Sequence, residues 1–142
     1  MRQALHRQTI ATNGQGLVEI TEPVCRWVAA QPIVTGLLTI WCRHTSASLL
    51  VQENAAPDAR SDLEAFFRRL VPEGAPYRHQ DEGPDDMPAH IKSMLNGVGL
   101  HVPVIAGKMA LGTWQGIYVA EHRRRPHRRE VILQFLGSCA PK

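Results

Sequence analysis

The sequence is poor in cysteine, in aromatic residues and in long apolar runs. Its 142 residues include only three Cys, three Trp, two Tyr and three Phe. No apolar stretch approaches the ~18 residues that crossing a bilayer requires, which excludes a helical membrane span. Cys25, Cys42 and Cys139 are odd in number and form no C-x-x-C pair. That pattern excludes a disulfide framework and a zinc ribbon, and it suits a reducing compartment. Residues Met1 to His6 lack the apolar segment of a signal peptide, so the expected location is the cytoplasm, with no membrane partner. Internal repeats and low-complexity tracts are missing too. Surplus charge is scarce: sixteen Lys+Arg face thirteen Asp+Glu, for a formal net charge of +3. Five of those cations sit in the run His122 to Arg129, and without them eleven cations face thirteen anions. A generally basic nucleic-acid coat spreads its cations over a face or groove. No nucleic-acid partner is expected.

What remains is an ordinary content of 44% hydrophobic residues, enough to bury one core and too short a chain for two. The expected unit is a single domain over residues 1–142. Alternation predicts a strand from Ala4 to Thr12 and, after the turn at Gly14-Gln15-Gly16, another from Leu17 to Ile20. Thr21 is the expected cap of a helix with Pro23 in its first turn and Val24, Trp27 and Val28 on one face. The nearly unbroken apolar run Ile33 to Cys42 reads as a strand buried on both faces. Pro57 opens a second helix, whose Leu63, Phe66, Phe67 and Leu70 recur at i, i+3, i+4 and i+7. Prolines, glycines and acids make Val71 to Pro88 a long loop, of the kind that carries function in a small domain. A short helix follows, with Asp86 as its expected cap. Strands are expected at Leu100–Ile105, Met109–Ala120 and Glu130–Leu136. The sum is an α+β domain with a mostly antiparallel sheet and about three helices.

Four constellations could carry chemistry. His44 shares the parity of Val34, Gly36, Leu38, Ile40 and Cys42, so it stands at the mouth of a core strand, a good place for a ligand or base. Equally, it could be a core histidine bonded to backbone. From Tyr77 to His90 two histidines, His79 and His90, lie among several carboxylates. Asp86 and His90 are one helical turn apart, so both could reach one ion, in a mixed N/O site. The bland alternative is a capping Asp86 among solvated acids. Gly112-Thr113-Trp114-Gln115-Gly116 places glycines in a strand pattern, a mark of close backbone approach. Thr113 and Gln115 share a parity there, and Trp114 on the other face is read as packing. The arginine run suits phosphate. Its members Arg123 to Arg125 read as a solvated turn, whereas Arg128 and Arg129 lead into a strand and are expected to point at something.

Taken together, His44-Thr45-Ser46-Ala47-Ser48-Leu49, Glu53-Asn54, Asp62, His79…Glu82…Asp85-Asp86…His90-Ile91-Lys92-Ser93 and Gly112-Thr113-Trp114-Gln115 closely resemble the YjbQ family, described as secondary thiamine-phosphate synthase enzymes. The likeness runs from about Leu5 to Gly137, so it covers nearly the whole chain. It implies a compact α+β fold with a mixed, sandwich-like sheet, assembled as a homotrimer. It also implies a polar pocket around His44, Glu53, Asn54, His79, Asp86, His90, Thr113 and Gln115. Within it, His44, Asp86, His90 and Gln115 are the catalytic candidates. Glu53, Asn54, Thr113 and Arg129 are the substrate-binding ones. His44, His79, Asp86 and His90 are the candidate ligands of a divalent metal, Mg²⁺ or Zn²⁺. One departure concerns the turn before the last strand, which the family usually makes with glycine and which here reads Arg123-Arg124-Arg125-Pro126-His127.

The activity so implied joins hydroxymethylpyrimidine diphosphate to a thiazole phosphate with release of pyrophosphate. That reaction needs a divalent ion or cations at the leaving group. Here Asp86 with a neighbouring acid would hold Mg²⁺, while His44, His90 and Arg129 would meet phosphate. Zn²⁺ would instead take the histidines as direct ligands and favour hydrolysis. The alternatives are therefore a metal-dependent hydrolase or phosphatase of a small metabolite, and a non-enzymatic trimeric binding protein for a phosphorylated metabolite.

Overall fold

Two antiparallel sheets form because alternate residues of the strands are apolar, and each sheet needs something to cover that face. The computed structural model describes residues 1–141. In chain order the elements are β1 (Arg2–Asn13), β2 (Gly16–Glu19), α1 (Thr21–Ala29), β3 (Ile33–Cys42), β4 (Ala47–Glu53), α2 (Pro57–Leu70), α3 (Asp86–Asn96), β5 (Gly99–Ile105), β6 (Lys108–Met109), β7 (Gln115–Glu121) and β8 (Pro126–Cys139). The larger sheet runs β1-β8-β3-β5-β6 and the smaller β2-β7-β4. Every strand pair is antiparallel.

Leu38, Ile40 and Cys42 of β3, Val102 and Val104 of β5, and Val131, Leu133 and Phe135 of β8 form one wall of the core. Leu49, Ile117 and Val119 of the small sheet belong to the same cluster, and Val24 and Val28 of α1 join it. The small sheet is covered on its other face as well: Tyr118 and Ala120, of opposite parity to Ile117 and Val119, are buried too. The α+β class, the dominance of antiparallel pairing and the three helices agree with the sequence reading.

Several local expectations need correction. β3 is buried on one face only, since Leu37 and Trp41 are exposed on the outer side of the large sheet beside Leu136 of β8. An all-apolar run looks the same in sequence whether its second face meets a neighbour or is left open. The predicted strand Met109–Ala120 is two strands, because Ala110 to Trp114 turn between β6 and β7. Trp114, read as packing, is exposed in that turn. Thr21 is the first residue of α1 rather than its cap; its hydroxyl donates to Glu19 Oε2 and accepts from the Ile117 N–H. α2 has Pro57 in its first turn as expected, yet none of its residues is fully buried.

At one point the two central strands touch through their backbones. A Cβ on Gly36 would lie 2.0 Å from the Leu136 carbonyl oxygen, and one on Gly137 2.1 Å from that of Thr35. Any side chain at either position collides with backbone that cannot move aside. The pairing of β3 with β8 is irregular at this place, between Ile33 and Thr35.

Candidate metal centre

The polar cluster is built where the long loop returns to the start of α3. Asp86 is the first residue of the helix, not its cap, and Asp85 in the cap position makes no side-chain cap hydrogen bond. Both carboxylates turn outward from the helix end to meet other partners. Asp86 Oδ2 lies 2.7 Å from His79 Nε2, which the loop carries in, and 3.1 Å from His90 Nε2, one turn along α3. These three donor atoms all lie within 4.8 Å of one another. The two rings are tilted, with centroids 5.5 Å apart. Asp86 is 6% exposed in its side chain and His79 43%, so the carboxylate is sheltered while the centre opens to solvent.

Hydrogen bonding fixes the chemistry of His90. Its Nδ1 lies 2.8 Å from the Thr45 carbonyl oxygen and donates to it, since a carbonyl only accepts. In the neutral ring the lone pair then sits on Nε2, facing the Asp86 carboxylate. Two lone pairs so placed repel unless a proton or a cation lies between them. That tautomer, held by a backbone carbonyl, is the arrangement that metal-ligating histidines use. The donor set therefore fits a divalent ion.

The other carboxylate oxygens are occupied by Arg123, and here the sequence reading is overturned. Read as part of a solvated turn, Arg123 instead lies in the site, 15% exposed in its side chain. Its Nη1 donates to Asp86 Oδ1 at 2.6 Å, its Nε to Asp85 Oδ2 at 3.0 Å and its Nη2 to the Glu82 carbonyl. Asp85 Oδ2 also accepts the Arg124 N–H at 2.9 Å. Burial alone pushes the Asp86 carboxyl up, but the His79 hydrogen bond and the charges of His90 and Arg123 outweigh it and hold it below its usual range. Asp85 is held down in the same way by the Arg124 N–H and the Arg123 guanidinium. Two adjacent acids at a helix start were the only hint in the sequence that a cation must come from elsewhere. Arg124 pairs with Glu73, and Arg125 is exposed.

His44 stands apart from the three donors. Its Nε2 accepts the Glu130 N–H at 2.8 Å, so the ring takes the place of a backbone acceptor beside β8. That bond occupies the lone pair a metal would need, so His44 is not a ligand in this arrangement. Burial, helped by the charge of Arg129, pushes its pKa down and favours the neutral ring. His44 and His90 do line one open cavity of about 620 Å³, with Trp41, Thr45, Ser93 and Met94 around it. Arg129, expected to face a ligand, is directed inward: its Nη2 donates to Glu121 Oε1 at 2.5 Å and its Nε to Oε2 at 2.7 Å. The pair is 4% and 0% exposed.

The remaining candidates gather elsewhere. Ala47 pairs with Glu121 at one end of the small sheet and Glu53 with Gln115 at the other, six residues along, or about 20 Å. At that far end the Asn54 amide donates to Glu19 Oε2 and its N–H to the Trp114 carbonyl. Gln115 Oε1 accepts the Gly112 N–H and closes the turn that begins β7. Thr113 lies in the same exposed turn. Within one chain, then, Glu53, Asn54, Thr113 and Gln115 do not meet His79, Asp86 and His90.

Fold and site define an antiparallel two-sheet α+β domain with an open two-histidine, one-carboxylate centre at one end of the smaller sheet. The chain belongs to the YjbQ-like UPF0047 family, whose model matches residues 6–138. It is 50% identical over 137 residues to a UPF0047 protein of Synechocystis, covering 96% of this chain and 93% of that one. It is 43% identical to the UPF0047 protein YjbQ of Salmonella typhimurium, over 91% of this chain and 94% of that one. A crystal structure of a yjbq/upf0047 family protein from Clostridium acetobutylicum superposes with a TM-score of 0.85 at 32% identity. It covers 92% of this chain and 99% of that one. No helix among the described residues is long and apolar enough to cross a membrane.

Proposed function

We propose that this chain is a metal-dependent enzyme acting on a small phosphorylated metabolite, with hydrolysis of a phosphate ester as its reaction. The observation that carries the reading is the meeting of His79 Nε2, Asp86 Oδ2 and His90 Nε2 around one point open to solvent. Two imidazoles with one carboxylate favour an ion of the zinc type over Mg²⁺, which prefers oxygen ligands. A divalent ion held there would polarise a phosphoryl oxygen and neutralise charge on the leaving group. The protein's own groups do the rest. Thr45 orients His90 through its carbonyl, and Arg123 fixes Asp86 so that one oxygen remains for the ion. His44, with Nε2 engaged by backbone, keeps Nδ1–H as a donor at the cavity wall.

Thiamine-phosphate synthesis, the activity that the resemblance implies, is the second reading. The 620 Å³ cavity beside His90 favours it, having room for two co-substrates. Against it, Arg129 is committed to Glu121 and Arg123 to the two aspartates, so neither guanidinium is free for a pyrophosphate. As for assembly, we propose the homotrimer. Support comes from Leu37, Trp41 and Leu136, exposed on the outer face of the large sheet, where large apolar side chains seek cover.

The experiment is to load metal-free protein with Zn²⁺ or Mg²⁺, measure bound metal, and assay both reactions. The hydrolase reading expects stoichiometric Zn²⁺ and release of phosphate from 4-nitrophenyl phosphate, lost in His90→Ala. Formation of thiamine phosphate from the two precursors without phosphate release would replace it with the synthase. Metal or phosphate-ester binding without turnover would leave a binding protein. Light scattering decides the trimer separately, and a monomer would refute it.

A further inference from the structure

A second cavity lies on the other side of α3, beneath α2, and none of the residues discussed so far as ligands or substrate contacts explains it. Its volume is about 240 Å³, room for about eight water-sized groups. Leu17, Leu50, Val51, Leu63, Phe67 and Ala120 give it apolar walls. This is why α2 has a strong apolar stripe and yet no fully buried residue: its Leu63 and Phe67 face the small sheet across a space.

The polar side of this cavity is unusual in its charge. Lys92 is 5% exposed, lines the space, and has no hydrogen bond or ion pair among the described residues. The acids nearest its charge, Glu73 and Asp85, are engaged by Arg124 and Arg123 respectively. Beside Lys92 a polar chain is already assembled. Asn96 Nδ2 donates to Ser48 Oγ at 3.0 Å, and Ser48 Oγ and His122 Nε2 share a hydrogen bond of 2.8 Å. His122 stacks on Phe67 with centroids 6.1 Å apart. The other charged groups lining the cavity are Glu64, which accepts the Leu17 N–H, Arg68, and Glu121, which is neutralised by Arg129. The Lys92 ammonium thus faces a half-open, largely apolar space without a protein acceptor, and an anion that enters supplies one.

We propose that this cavity is a binding site for a small carboxylate with an apolar tail. The tail lies between α2 and the small sheet, against Leu50, Leu63 and Phe67. The carboxylate accepts from Lys92 and the Asn96 amide. The site is independent of the metal centre, because Lys92 and Asn96 project from a different side of α3 than Asp86 and His90.

The test is calorimetric titration of metal-free, full-length protein with hexanoate, hexanamide and hexyl phosphate. Hexanoate should bind and raise the melting temperature, with the isosteric amide at least about tenfold weaker. Lys92→Gln should lose the preference for hexanoate over hexanamide. Should that variant fail to fold, Leu63→Trp, which fills the cavity from a helix with no fully buried residue, should abolish hexanoate binding with the circular dichroism unchanged. Equal affinity for acid and amide, binding that survives Leu63→Trp, or no binding by hexanoate up to about 10 mM would overturn the proposal. Tighter binding of hexyl phosphate would overturn the assignment of a carboxylate head. None of these outcomes depends on metal or turnover, so they stand apart from the hydrolase reading.

Discussion

The two ends of the small sheet carry the same kinds of residue to different effect. At the end where Ala47 meets Glu121, acids, bases and guanidiniums form a continuous web. Thr12, Glu121 and Arg129 are buried in it, and Asp85, Asp86, Arg123, His79 and His90 continue it to the surface. At the end where Glu53 meets Gln115, polar side chains bond mainly to the turns that carry them. Charge sheltered from water is strong and expensive to leave unpaired, whereas exposed hydrogen bonds exchange readily with solvent. A polar residue type therefore says little about chemistry until its shelter is known.

The contrast can be broken most forcefully at Glu121. Glu121→Gln leaves Arg129 buried beside a neutral amide and should cost about 4 kcal/mol of stability, read by urea denaturation. A loss of under about 1 kcal/mol would mean that water reaches the pair.

Next in size is the response to pH. His122 is buried, and desolvation, aided by the charge of Lys92, pushes its pKa from 6.5 to about 4. Its unfolded form binds a proton first, so the folded protein should lose about 3 kcal/mol as pH falls from 6.5 towards 4. His122→Gln should flatten that part of the profile. Glu121, Asp85 and Asp86 are held below their usual ranges, so their contribution persists above those ranges and is lost only in stronger acid.

Asp86→Asn sharpens the comparison at the surface of the web. It should weaken Zn²⁺ on the order of 100-fold, or about 2.7 kcal/mol, in equilibrium dialysis. Unchanged affinity would place the ion elsewhere. The smallest effect belongs to the far end, where Gln115→Ala should cost about 1 kcal/mol and leave Zn²⁺ affinity as it was. If that change abolished turnover while metal stayed bound, a second copy of the chain would have to bring the two ends together.

How much of this was written in the chain depends on the range of each interaction. Strand β1 follows from alternation and β3 from its apolar run, and both signals are local. The Asp86–His90 relation is local too, since one helical turn fixes it. Arg123 was misread because its partners lie 37 and 38 residues back, and an arginine run beside a proline has the composition of any solvated turn. The adjacent acids Asp85 and Asp86 at the start of α3 were the available signal. Lys92 and His122 were missed for a similar reason. A lysine in a helix is normally at the surface, and only the placement of α2 over the small sheet encloses it. The stripe on α2 was legible, but periodicity cannot tell a packed face from one that borders a cavity.

The place of β8 has a consequence for how the chain is made. This strand lies between β1 and β3, paired with both along most of its length, and Arg2 finds Gly137 across the sheet. Until Pro126 to Cys139 have been synthesised, β1 has no neighbour in its sheet and β3 has one bare edge. The large sheet thus cannot close until β8 has been made. Such distant pairing slows folding and leaves edges open to wrong partners meanwhile. Birth from the ribosome, rather than any later condition, is when this fold is most exposed to aggregation.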